Sequence, residues 1–182
     1  MDSINGLPLH PLIVHIPVAM LPLAFIGVAV MCIKRAWYER YRWAVLVVGG
    51  IGTLGAILAA STGESLESDV RRTQGSAALR GIHDHAEAGD LARSVAIVFF
   101  VALAAWVLIP WYLDRRHAQQ QTDDEGGEVG RSHRHSNLAR SILMVTTAIL
   151  ATASMATIYR AGHSGATSVW KEQIESGPSN GG

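Results

Sequence analysis

Four long apolar segments alternate with charged connections along the chain. About 20 apolar residues, rising about 1.5 Å each in a helix, cross a hydrocarbon core of about 30 Å. Because a backbone in lipid must satisfy its own hydrogen bonds, each apolar segment is predicted to be a helix. The segments without Asp, Glu, Lys or Arg are residues 12–33, 43–62, 94–113 and 141–159.

This pattern predicts an all-α integral membrane protein, a four-helix bundle that forms a single domain over residues 1–170. The lipid bilayer is then its main partner. The predicted transmembrane spans are 12–33, 43–62, 91–113 and 139–159.

The connections give an expected orientation. Residues 34–42, "KRAWYERYR", and the region around 114–137 are rich in Lys and Arg, which favours the cytoplasmic side. Both termini are then expected outside the cytoplasm (N-out, C-out). Residues 114–137 are polar and contain glycine, and are expected to be a flexible cytoplasmic linker. Residues 171–182 are expected to be a disordered tail.

Composition narrows the function classes. Only 16% of the 182 residues are charged, below the roughly 25% of soluble domains. Lys+Arg and Asp+Glu balance at 15 each, so no net positive field favours nucleic acid. A single cysteine, Cys32, excludes an internal disulfide, a CxxC pair and a CxxCH haem attachment. No phosphate-binding loop, GxSxG or HExxH motif is present. Whether the protein is an enzyme stays an open question.

Histidine placement is the main functional signal. Three segments that are far apart in sequence carry histidines next to the outer ends of the predicted spans. Helices that run in alternating directions bring such segments to one end of a bundle. The five histidines at this end are His10, His15, His83, His85 and His163.

The first span carries His15 one turn from its start, followed by two prolines. Pro17 and Pro22 each remove a backbone hydrogen bond and are expected to bend this helix. A bend opens space between helices, and His15 is expected to face that space.

The third helix is expected to start near Ala77. There His85 lies above Gly89 on one face, with little side-chain bulk beneath its ring. This favours His85 for binding a flat group inside the bundle. His83 lies instead on a face with acidic residues and is expected to meet water or support another ligand.

Small residues line the second span, and one row of them consists of Gly52, Ala56 and Ala60. They either let neighbouring helices approach closely or leave clearance for a cofactor. Glu64 follows at the outer end and can pair with an imidazole or an Arg. After the fourth span, Gly162 and Gly165 flank His163, and the pattern indicates a helix end there.

These features together resemble a bacterial membrane-protein family known as domain-of-unknown-function family 2231. The resemblance covers most of residues 6–170 and includes a glycine-rich second helix, a histidine ahead of the third and a GHxGG-like segment after the fourth. It implies a multi-pass protein of the bacterial cytoplasmic (inner) membrane whose histidines matter, and it implies no ligand. The HPxxVHxPxA motif that carries it is matched by His10, Pro11, Val14, His15, Pro17 and Ala19.

The first functional hypothesis is a b-type haem protein for electron transfer, working with a redox partner or quinone. Neutral imidazole is a good iron ligand, and bundle cores commonly hold cofactors. His15 and His85 are the preferred ligands, with His10 or His163 as substitutes. Gly89 and Gly52 are expected beside the cofactor.

The other hypotheses stay open. A copper or zinc site would draw on His10, His15, His85 and His163, with His83 and Glu64 as alternates. A structural or partner membrane protein would bind no cofactor, and its histidines would bond to neighbouring loops. A homo-oligomer is compatible with each hypothesis.

Overall fold

A computed structural model describes residues 3–4, 7–73, 76–120 and 132–175. Strands β1 (Ser3–Ile4) and β2 (Leu7–Pro8) pair antiparallel over two residues at the start. The remaining elements are four long helices: α1 (Leu9–Ile33), α2 (Arg35–Thr73), α3 (Ser76–Gln120) and α4 (Ser132–Glu175).

The four helices pack in a ring, α1 on α2, α2 on α3, α3 on α4 and α4 on α1. Each contains a segment long and apolar enough to cross a membrane, which confirms the predicted all-α four-helix membrane bundle. The orientation across the membrane stays a prediction. These segments are Leu12–Ile33, Arg35–Glu64, His85–Arg116 and Leu138–Ala166.

Apolar side chains occupy both the inside and the outside of the bundle. Leu21, Phe99 and Leu103 are almost fully buried at its centre. Val101 and Ile149 are 62% and 64% exposed on its outer surface. A helix that is hydrophobic all round is typical of a membrane span, because lipid solvates the outward face.

Glycines on α2 let α1 approach closely. A Cβ placed on Gly52 would lie 3.0 Å from Leu21 Cδ2, and one on Gly55 would lie 2.7 Å from Ile16 Cγ2 and 2.9 Å from Pro17 Cδ. This is the close helix packing that small residues permit in lipid. The space beside Gly52, which one interpretation of the sequence gave to a cofactor, is filled by α1.

The helices are longer than the sequence pattern predicts. Residues 114–120 and 132–137 of the expected linker and residues 171–175 of the expected tail are helical. Residues 121–131 and 176–182 of the same predictions lie outside the described residues. Asp114 Oδ1 accepts a 2.7 Å hydrogen bond from Arg140 Nη2, an ion pair that joins α3 and α4 at the two borders of the expected linker.

One prediction of local interruption is also corrected. Helix α1 runs from Leu9 to Ile33 with Pro17 and Pro22 inside it, and the bend expected at these prolines stays a prediction. Helix α4 continues past Gly162 and Gly165 to Glu175, so the predicted helix end there is wrong. A glycine inside a helix costs only about 1 kcal/mol, which tertiary contacts can offset.

Candidate histidine site

Alternating helix directions bring four segments to one end of the bundle, here called the histidine end. It comprises the start of α1 around His10, residues 58–64 of α2, residues 83–93 of α3 and residues 159–166 of α4. The sequence pattern predicts that histidines gather at this end, and the contacts of His10 and His85 give the local geometry.

His10 on α1 is held by α2. Its Nδ1 lies 3.0 Å from the Ala59 carbonyl oxygen and 3.2 Å from Thr62 Oγ1. The Thr62 hydroxyl itself donates to the carbonyls of Leu58 and Ala59, so its oxygen accepts from His10. Because a carbonyl oxygen can only accept, the His10 proton is on Nδ1. In the neutral ring, Nε2 then carries the lone pair.

Burial favours the neutral form of the His10 ring. The pKa of His10 is lowered, mainly because burial penalises the charged form. The bond to the Ala59 carbonyl opposes this shift, and the nearby His85 adds to it. A neutral imidazole with a fixed Nδ1–H is the form in which histidine binds metal ions.

His85 on α3 is held in a similar way by α4. Its Nδ1 lies 3.2 Å from Ser164 Oγ. The Ser164 hydroxyl donates to the Ala161 carbonyl at 2.9 Å, so its oxygen is available to accept from His85. The proton of a neutral His85 is therefore also assigned to Nδ1, and the Nε2 atoms of both rings carry lone pairs.

The two rings lie next to each other at half-buried positions. Their centroids are 6.3 Å apart and their planes are nearly perpendicular, at 86°. A glycine backs each ring. A Cβ on Gly63 would lie 3.2 Å from His10 Cε1, and one on Gly165 would lie 2.9 Å from His85 Cε1. Any larger residue at either position would press on the imidazole.

The structure therefore places His85 next to His10, the residue expected as a substitute ligand. That His15 is a ligand stays a prediction. His15, His83 and His163 are all exposed. The His163 ring stacks on Tyr159, with centroids 6.0 Å apart. Beside Gly89, an added Cβ would meet no atom within 4 Å, so the expected open space one turn along from His85 is present.

Acidic groups at this end are engaged by Arg93. Its Nη1 donates to Glu64 Oε1 at 3.2 Å, and its Nη2 lies 3.1 Å from Asp90 Oδ1. Of the two partners predicted for Glu64, the structure shows the Arg. Within the described residues, no cluster of three or more His, Cys, Asp or Glu side chains is arranged to hold a metal ion.

Comparison with known proteins identifies the family. Residues 6–178 match the family described as "Predicted membrane protein (DUF2231)". The chain belongs to this family. The family description names no ligand, reaction or partner. No curated protein and no solved structure matched the chain.

Sequence reasoning missed how the two rings are held. Thr62 with Gly63 on α2 and Ser164 with Gly165 on α4 form the same pair, a hydroxyl residue followed by glycine. In both, the hydroxyl oxygen meets a histidine Nδ1 and the glycine backs the ring. This repeated dipeptide, set opposite a histidine near the outer end of the preceding apolar segment, is the sequence signal that could have found the site.

Proposed function

We propose that the histidine end binds haem b through Nε2 of His10 and His85, and that the protein transfers electrons in the membrane. The observation that carries this proposal is the half-buried imidazole pair, with both Nδ1 atoms held by oxygen acceptors. Such acceptors fix ring orientation and raise ligand basicity at metal sites. A quinone or a small redox protein would exchange the electrons.

Haem fits a two-imidazole site better than zinc does. A porphyrin supplies four nitrogens, so the protein needs to give only two axial ligands. Structural zinc sites take four protein ligands and catalytic sites take three. If His10 and His85 both held one metal ion with bonds of about 2 Å, their ring centroids would lie about 6 Å apart or less, and the observed separation of 6.3 Å is compatible with this.

The surroundings of His85 are also compatible with a flat ligand. Gly89 lies one helical turn further along α3 and has open space beside it. Gly63 and Gly165 keep side-chain bulk away from both imidazoles. Gly52 takes no part in the proposal, because its open side packs against α1.

The proposal places the histidine end outside the cytoplasm of a bacterial cell, in the cytoplasmic membrane. Its support is the charge at the opposite end, where basic residues cluster near helix termini and favour the cytoplasmic side. These residues are Lys34, Arg35, Arg40, Arg42, Arg115, Arg116 and Arg140.

An absorption spectrum tests haem binding. The full chain, expressed in haem-replete cells and purified in mild detergent, is expected to show a Soret band and sharpened bands on reduction. His10→Ala and His85→Ala should each abolish or strongly shift these bands. His15→Ala and His163→Ala are matched controls at the same end and should leave them unchanged. A colourless wild-type protein, or loss of the bands only in His15→Ala, would refute the assignment.

A second candidate is a structural clamp without a cofactor. It is favoured by the contacts that join α1 to α2 through His10 and α3 to α4 through His85. In this case His10→Ala lowers the free energy of unfolding of a colourless protein, by about 1 kcal/mol for each hydrogen bond lost. Metal analysis of the same samples separates the copper or zinc hypothesis from both candidates.

A further inference from the structure

The end of the bundle opposite the histidines holds a pocket that the proposed function does not use. We call it the arginine end, defined by Arg35, Arg42 and Arg140. Lys34 alone separates α1 from α2 there, and its carbonyl accepts bonds from the backbone N–H groups of Trp37 and Tyr38. The pocket has a volume of about 200 Å³ and is lined by residues of all four helices.

Charges in this pocket do not balance. Three arginines face two carboxylates, Glu39 and Asp114. Arg42 Nη1 lies 2.7 Å from Glu39 Oε2, while Arg35 is a longer 3.9 Å from the same carboxylate. Arg140 pairs with Asp114. The set carries a net positive charge, and so favours an anion.

One donor in the pocket lacks an acceptor. Arg42 Nε is buried and has no hydrogen-bond partner in the described protein. Its side chain is only 18% exposed, held between Glu39 and the rings of Tyr38 and Trp43. A buried N–H without an acceptor is costly, and more so on a charged group. The Arg42 guanidinium is therefore incompletely paired by the described protein.

An apolar groove continues from this pocket toward the middle of the membrane. Cys32 and Met144 line both cavities, and the groove, of about 340 Å³, runs along α4 past Ala148 to Thr152, with Cys32 of α1 at one end. From residue 144 to residue 152 the helix rises about 12 Å. The groove is therefore long enough for part of an acyl chain.

We propose that the arginine end binds an anionic glycerophospholipid. Its phosphate lies at Arg42 and Arg140, and one acyl chain lies in the groove along α4 that begins beside Cys32. Basic pockets between transmembrane helices recognise anionic headgroups at the membrane surface. A free phosphate would use the arginines alone, whereas a lipid uses the continuous apolar groove as well. The proposal does not depend on haem binding.

Lipid binding to the full chain in detergent tests the proposal, by native mass spectrometry and by the lipid-dependent rise in melting temperature. Phosphatidylglycerol is expected to bind at least about tenfold more tightly than phosphatidylcholine, because charge-assisted bonds to the phosphate are made without a competing ammonium group. Inorganic phosphate and glycerol phosphate at equal concentration should give no shift. Equal binding of the two lipids, or an equal shift with free phosphate, would overturn the proposal.

Variants locate the site. Arg42→Gln should lower phosphatidylglycerol affinity by at least about tenfold, while Arg116→Gln, exposed and stacked on Tyr112 outside the pocket, should leave it unchanged. If Arg42→Gln does not fold, Ala148→Phe tests the groove with the arginines intact. Its matched control is Val101→Phe on the lipid-facing side of α3. Wild-type affinity in both Arg42→Gln and Ala148→Phe, or equal losses in the variants and their controls, would contradict the assignment.

Discussion

Replacing Gly165 by alanine tests whether His85 is packed as the structure shows. The added Cβ would lie 2.9 Å from His85 Cε1 and 3.2 Å from its Nδ1, too close for either atom. The ring must then move away from α4. That movement stretches the bond between His85 Nδ1 and Ser164 Oγ and disturbs the contact with His10.

The expected cost follows from three contributions. Overpacking costs about 1–3 kcal/mol in a well-packed site. Loss of one hydrogen bond adds about 0.5–1.5 kcal/mol. Replacing a helical glycine by alanine raises the free energy of unfolding by about 1 kcal/mol. The net result for Gly165→Ala is a loss of about 0.5–3.5 kcal/mol in the free energy of unfolding. Gly162→Ala on the same helix meets no atom within 4 Å, so only the last contribution remains and stability should rise slightly.

Unfolding by SDS titration in mixed micelles, followed by far-UV circular dichroism, measures both variants against the wild type. The two substitutions make the same chemical change three residues apart, so detergent and helix-propensity effects are shared. Equal stability of Gly165→Ala and Gly162→Ala would refute the packing of His85 against α4. Under the haem proposal, Gly165→Ala should also weaken the Soret band, and that readout can fail while the stability result holds.

Other substitutions test the bundle by the same unfolding measurement. Gly55→Ala should destabilise by about 1–3 kcal/mol, because its Cβ meets the rigid ring of Pro17, and wild-type stability would contradict this packing. Thr53→Val removes a buried hydroxyl that donates to the Ala96 carbonyl, and should lower the free energy of unfolding by about 0.6 kcal/mol. Thr147→Val removes a buried hydroxyl without a hydrogen-bond partner in the described protein, and should leave stability unchanged or raise it. Arg93→Gln breaks exposed ion pairs and should cost under about 1 kcal/mol, with a smaller effect at high salt; a larger or salt-independent loss would disagree.

The membrane class was predictable because it depends on residue type alone. Runs of about 20 uncharged residues specify spanning helices whatever their packing partners are. The helix ends were not predictable, because the polar residues beyond each apolar run fit a loop or an exposed helix equally well. Arg140 and Asp114 illustrate this: both lie near the borders of the expected linker, and their pairing across α3 and α4 becomes visible only in three dimensions.

The sequence predicted which end of the bundle carries the histidine site. It did not predict which histidine of α1 lies beside His85. Sequence spacing placed His10, His15 and His85 near the same surface, but helical spacing alone cannot say which side of α1 faces α2. That choice depends on where α2 permits contact. Gly55 admits Pro17 and Gly63 admits His10, which fixes the rotation of α1 and leaves His15 exposed.

The two helical hairpins hold their histidines in the same way at the histidine end. In the α1–α2 hairpin, His10 meets Thr62 and Gly63; in the α3–α4 hairpin, His85 meets Ser164 and Gly165. Each hairpin thus orients its own imidazole through contacts inside that hairpin. The pair of rings forms only when α2 packs on α3 and α4 packs on α1. A ligand shared by His10 and His85 would therefore bind only the assembled bundle, and its binding free energy would stabilise the docking of the two hairpins.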